Sequence, residues 1–164
     1  MSKLRILIAD DHALVRMGIS ALISAQDDMT VVGQAKNGAE AVSEALRLKP
    51  DVVLMDIVMP EMDGATATAE ILKSCPGTKV LILTSFGTAD GIAHALEAGA
   101  AGALIKNIDY SELVEAIRSV AAGKSVIAPE IQKILRESPP IPELTERQRD
   151  TLLSMSRGLT DADI

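Results

Sequence analysis

The sequence predicts an α/β fold, a five-stranded parallel sheet covered on both faces by helices, and three observations predict it. Short aliphatic runs alternate with stretches of helical periodicity over residues 1–124. Each run is too short for a helix and is bounded by polar residues or glycine, as buried strands are. Parallel neighbours need right-handed crossovers, and the intervening helices supply them.

Leu4–Ala9 is the first strand, and Leu14, Val15, Gly18, Ile19, Leu22 and Ile23 then recur at helical spacing. Thr30–Ala35 is the second strand. Asn37 and Glu40 have capping-box spacing before Ala41, Val42, Ala45 and Leu46, and Pro50 stops that helix. Asp51–Met55 is the third strand, Pro76-Gly77 closes the helix after it, and Lys79–Leu83 is the fourth strand. Gly102–Ile105 is the fifth. Asp109 with Glu112 starts the last helix of this region, through Leu113, Val114, Ile117, Val120 and Ala121 to Gly123. Periodicity does not reveal strand order. Among doubly wound folds of this length the flavodoxin-like order 2-1-3-4-5 is expected, with a crevice at the carboxyl ends of the strands.

After residue 124 the character changes. Residues 125–143 read as a linker with a short helix, Pro129–Glu137, followed by Ser138-Pro139-Pro140-Ile141-Pro142, which must be extended. Residues 144–164 read as a short all-α stub. Thr145 with Gln148 begins a helix carrying Leu152, Leu153 and Met155, and Gly158 ends it. Thr160 caps one more helix, and Ile164 falls in its first turn, so the expectation is a chain cut before its last motif is complete.

Composition narrows the function. The 164 residues carry 16 Lys+Arg and 23 Asp+Glu, a net charge of −7, and the aromatics are Phe86 and Tyr110. That is too aliphatic for disorder, too poor in rings for base stacking and too acidic for a nucleic-acid glove. A lone cysteine, Cys75, excludes a disulfide framework and a Cys-rich zinc site. No signal-like segment opens the chain and no apolar run approaches the roughly 18 residues a span needs. A cytoplasmic protein without membrane contact is expected.

Polar residues gather at one sheet edge. Asp10 and Asp11 follow the first strand, Asp56 the third, Thr84 the fourth and Lys106 the fifth. Crowded carboxylates repel and call for a cation. Mg²⁺, a hard ion that keeps several of its waters, suits an open edge, and the Val58 carbonyl adds an oxygen to Asp10, Asp11 and Asp56. With the ion present, Asp56 can attack a phosphoryl donor while Thr84 and Lys106 stabilise the oxygens. His12, beside the acidic pair, reads as a surface residue of the first helical turn, since Mg²⁺ prefers oxygen.

These residues carry a resemblance. Asp10-Asp11, the run from Asp56 to Gly64, Thr84-Ser85 and Gly102-Ala103-Leu104-Ile105-Lys106 resemble the receiver domain of two-component response regulators, over residues 1–124. The segments Leu144–Arg149 and Gly158–Ile164 are similar to the opening of a LuxR-type helix-turn-helix, as in NarL/FixJ-type regulators. The resemblance implies that a sensor histidine kinase phosphorylates Asp56, that Asp10 and Asp11 hold Mg²⁺, and that Thr84 and Lys106 contact the phosphoryl group. It implies a homodimer when phosphorylated and a switch that controls transcription. DNA binding is expected of a full-length protein only. The stub has no reading helix, and residues 125–164 hold five basic and seven acidic residues.

Two departures stand out. Ala103 occupies the position, three before the lysine, where this family usually has Tyr or Phe, so activation is expected to run through Thr84 and the loop from Ser85. Val58 and Phe86 are apolar where polar groups could orient a hydrolytic water, so self-dephosphorylation is expected to be slow. The alternative reading is a standalone flavodoxin-like phosphotransferase or phosphatase with turnover on small molecules. Against the phosphatase, His12 stands where an Asp-x-Asp run needs its second aspartate; no phosphate-binding glycine loop follows the first strand, which counts against nucleotide binding.

Overall fold

The computed structural model describes residues 3–85, 89–106 and 109–137. Of the described residues, those up to 132 belong to one compact unit and 133–137 to a second. The stub helices, the Pro-rich stretch and Phe86 lie outside the described residues.

The elements alternate as the periodicity requires: β1 (Leu4–Ala9), α1 (Ala13–Ser24), β2 (Met29–Ala35), α2 (Gly38–Leu48), β3 (Val52–Met55), α3 (Gly64–Ser74), β4 (Lys79–Thr84), α4 (Ala89–Glu97), β5 (Gly102–Ile105) and α5 (Tyr110–Ala121). Then come β6 (Val126–Ile127) and α6 (Pro129–Glu137). The sheet is parallel, in the order β2-β1-β3-β4-β5-β6. The expected order 2-1-3-4-5 is present, but the five-stranded expectation is corrected to six. Val126 and Ile127 pair with Gly102 and Ala103 in a segment read as linker. A two-residue strand is too short to show any hydrophobic period.

Local chemistry explains the boundaries. The Asn37 side chain accepts a hydrogen bond from Glu40 N at 2.8 Å, and Glu40 reaches back to Lys36 N at 3.0 Å, one residue outside the expected box. Lys49, at φ 50°, ends α2 in the left-handed conformation just before Pro50. Asp109 N donates to Glu112 at 3.3 Å at the start of α5.

Both faces of the sheet are covered. Leu7 approaches α2, because a Cβ on Gly33 would meet Leu7 and Leu48 side chains together, whereas Ile8 shares a small cavity with Ile19 of α1. Successive residues of a strand point to opposite faces, so α1 and α2 lie on opposite sides of the sheet. Every residue of β3 is buried, and the core is aliphatic throughout: Ile6, Leu7, Ile8, Leu54, Leu81, Ile82, Ile92 and Ile117 are all sealed from solvent. Burying one such side chain contributes about 2 kcal/mol, so strands and helices hold the unit together through one shared core.

Candidate phosphoacceptor site

Backbone pairing continues one residue past three of the strands and fixes where the polar side chains stand. Asp10 N donates to Ala35 O at 3.0 Å, Asp56 N to Ala9 O at 3.0 Å and Lys106 N to Thr84 O at 2.9 Å. Asp10 and Asp56 are therefore ladder residues on neighbouring strands, 3% and 4% exposed. Thr84 is the last residue of β4, buried and in register with Ile105.

The carboxylates converge. Ligand atoms of Asp10, Asp11, His12 and Asp56 lie within 4.8 Å of one another. Lys106 closes the group from β5, its Nζ 2.5 Å from Asp10 Oδ2 and 3.1 Å from Asp56 Oδ2. Burial pushes the Asp56 carboxyl above its ordinary value against the pull of Lys106, and the Asp10 charge pushes the same way. Burial works to lower the Lys106 ammonium, but its bonds to Asp10 and Asp56 outweigh that and hold it up. The ammonium thus sits between two carboxylates as their counter-ion.

The turn after Asp56 is held by close backbone approaches. Gly64 N donates to Ile57 O at 2.8 Å, and a Cβ on Gly64 would come within 2.0 Å of the Asp56 carbonyl. Gly38 N donates to Met62 O at 3.0 Å, where a Cβ would also come within 2.0 Å. Glycine is required at both places by contact, not by dihedral angle. Between these anchors Glu61 takes a left-handed φ of 70°, and Val58 projects into solvent, 63% exposed.

The structure thus brings Asp10, Asp11, Asp56 and Lys106 into one cluster and puts Thr84 at the same sheet edge and Val58 on the adjoining turn. His12 is exposed, as its sequence position suggests, yet its Nδ1 lies 3.1 Å from both Asp10 Oδ1 and Asp11 Oδ1. Its adjacency to the acidic pair was the available signal. Three carboxylates against one lysine, two of them nearly sealed from water, make a donor set that fits a hard divalent cation.

A parallel α/β sheet whose carboxyl edge gathers acidic side chains and a lysine is the arrangement of a signal-receiver domain, and the comparisons agree. The chain belongs to the response regulator receiver domain family, whose model matches residues 6–118. Its relatives place it among NarL/LuxR-type response regulators. The response regulator protein VraR of Staphylococcus aureus is 37% identical over 166 residues, 98% of this chain and 79% of its own length. A LuxR-family two-component response regulator from Aurantimonas superposes with a TM-score of 0.76 at 34% identity, over 83% of this chain and 97% of that one. The receiver domain of a response regulator NarL from Mycobacterium tuberculosis gives 0.71 at 36% identity, over 76% and 100%.

Proposed function

We propose that this receiver accepts a phosphoryl group on Asp56 from the phosphohistidine of a sensor histidine kinase. An Asp56 carboxylate oxygen forms the new bond to phosphorus as the donor nitrogen–phosphorus bond breaks, leaving the donor imidazole and an aspartyl phosphate. Asp10, Asp11, Asp56 and the Val58 carbonyl would hold Mg²⁺, which when bound would neutralise charge developing on the phosphoryl oxygens. Lys106 leaves Asp10 to bind one of those oxygens, and the Thr84 hydroxyl donates to another. The observation carrying this reading is the position of Lys106 Nζ, in contact with both Asp10 and Asp56. A cation already placed between the acceptor and its acidic neighbour needs only a short movement to meet transferred phosphate.

Phosphorylation changes the charge at one buried point and biases a two-state element. Ala103 is fully buried on β5, and Ala128 N donates to its carbonyl at 3.0 Å. No ring swings there, so the switch runs through Thr84 and the loop beginning at Ser85. Thr84→Ala retains phosphorylation but loses phosphorylation-dependent dimerisation; dimerisation undisturbed in that variant contradicts this route. The exposed Val58 side chain offers no hydrogen bond to a hydrolytic water, so self-dephosphorylation is slow. Val58→Asn shortens the phosphoryl half-life by roughly tenfold, a lowering of about 1.4 kcal/mol in the barrier; a wild-type half-life of seconds at neutral pH contradicts it.

The protein acts in the cytoplasm, dimerises when phosphorylated, and its output is control of transcription through DNA bound by a complete LuxR-type domain. No described helix is long and apolar enough to cross a membrane. Beryllofluoride with Mg²⁺ mimics the aspartyl phosphate. It shifts the NMR resonances of Thr84 and its neighbours and raises the mass seen by solution scattering, and it does neither in Asp56→Asn. An unchanged spectrum and mass for the wild-type protein overturns the reading.

A further inference from the structure

We infer that His12 is a metal-selecting residue: its imidazole adds a nitrogen ligand to the carboxylate pocket, so that the site binds imidazole-binding transition-metal dications more tightly than its carboxylates alone would, with its Mg²⁺ affinity unchanged. The inference rests on the reading of that pocket as a divalent-cation site. His12 occupies the N-cap position of α1 but its side chain makes no capping bond there. The ring turns instead to the acidic pair, its Nδ1 3.1 Å from Asp10 Oδ1 and 3.1 Å from Asp11 Oδ1. Two ligands at right angles about an ion, with bonds of roughly 2.1 Å, stand about 3.0 Å apart. The nitrogen is thus spaced from both oxygens as an adjacent ligand would be, within a group whose four donor atoms span no more than 4.8 Å.

The chemistry of the ions separates their responses. Mg²⁺ is hard and takes oxygen, so the imidazole adds nothing to its affinity. Co²⁺, Ni²⁺ and Zn²⁺ are borderline ions for which imidazole is a good ligand, and their affinities rise along the Irving–Williams order. Ligation uses the Nδ1 lone pair with the ring proton on Nε2, and it replaces the hydrogen bond that Nδ1 makes to Asp10 and its contact with Asp11. The exposure of the His12 side chain, 65%, leaves the ring free to make that small adjustment.

Calorimetric titrations of untagged protein with Mg²⁺ alone and with Co²⁺ alone, for wild type and His12→Ala, test the assignment. The expected result is a Mg²⁺ dissociation constant unchanged within about twofold and a Co²⁺ constant raised roughly tenfold, about 1.4 kcal/mol. Electron spin-echo envelope modulation of bound Mn²⁺ supplies a direct readout: nitrogen coupling in wild type and none in His12→Ala. Equal weakening of both metals assigns His12 a general electrostatic or positioning role and overturns the inference, as does an unchanged Co²⁺ constant. Wild-type protein that binds neither ion contradicts the cation reading of the pocket itself, a result distinct from either of those.

Discussion

At the carboxyl edge of the sheet Lys106 meets Asp10 and Asp56; on the surface of α5, Arg118 meets Asp28 and Glu115. Each cation touches two carboxylates. In the first group the side chains are 14%, 4% and 5% exposed, and in the second 36%, 51% and 69%. The Arg118 geometry is the better of the two, with a bidentate grip on Asp28 at 2.9 and 3.1 Å. Yet the titration shifts run in opposite directions. The Arg118 hydrogen bond holds Asp28 below its ordinary value, whereas burial lifts Asp56 above its own despite Lys106. Water solvates the surface carboxylates whatever Arg118 does, so the pair adds little stability and stores nothing. Burial leaves the pocket carboxylates short of counter-charge, which is what a divalent cation supplies.

Removing the cation gives the largest contrast. Lys106→Met leaves Asp10 and Asp56 facing each other without a counter-ion. In metal-free buffer it lowers the unfolding free energy by about 2 kcal/mol, a figure reduced for the solvent at the open edge. Urea unfolding checks it, and added Mg²⁺ recovers part of the loss; an unchanged midpoint breaks the comparison.

Removing the buried anion gives a smaller effect of opposite sign. Asp56→Asn raises metal-free stability by about 1 kcal/mol, roughly 2–4 °C in melting temperature. The pH dependence follows from the raised carboxyl. Asp56 favours the folded state while neutral, and that contribution is lost as pH rises from its ordinary 3.8 through the higher folded value. Asp56→Asn removes this loss from the stability profile. A variant no more stable than wild type contradicts the claim that burial dominates there.

Arg118→Met gives the smallest effect. It leaves metal affinity and phosphoryl acceptance unchanged, and any loss of stability fades as salt is added. Asp28 contributes stability above its ordinary 3.8 that is lost as pH falls through its lower folded value, opposite to Asp56. Acid titration of the two carboxyls by NMR sharpens the comparison, with Asp56 protonating first as pH falls.

The same contrast explains how much was legible beforehand. Asp10, Asp56 and Lys106 were recognisable because each directly follows an aliphatic strand, and strand ends are places that a repeating pattern fixes. Gly38 and Gly64 were not legible as anchors of the Asp56 turn. Their necessity comes from backbone carbonyls of Met62 and Asp56, one brought from another element and the other from across a turn. β6 escaped because two residues carry no period, and the Arg118–Asp28 pair because it joins residues far apart in sequence. The orientation of His12 depends on one side-chain rotation that adjacency alone does not determine.

The acceptor role of Asp56 is tested most directly by phosphorylation stoichiometry. Incubated with a small-molecule phosphodonor and Mg²⁺, the protein acquires one acid-stable, base-labile phosphoryl group per chain, located on Asp56 and absent in Asp56→Asn. Release of many equivalents of phosphate per chain, or equal labelling of Asp56→Asn, contradicts the account.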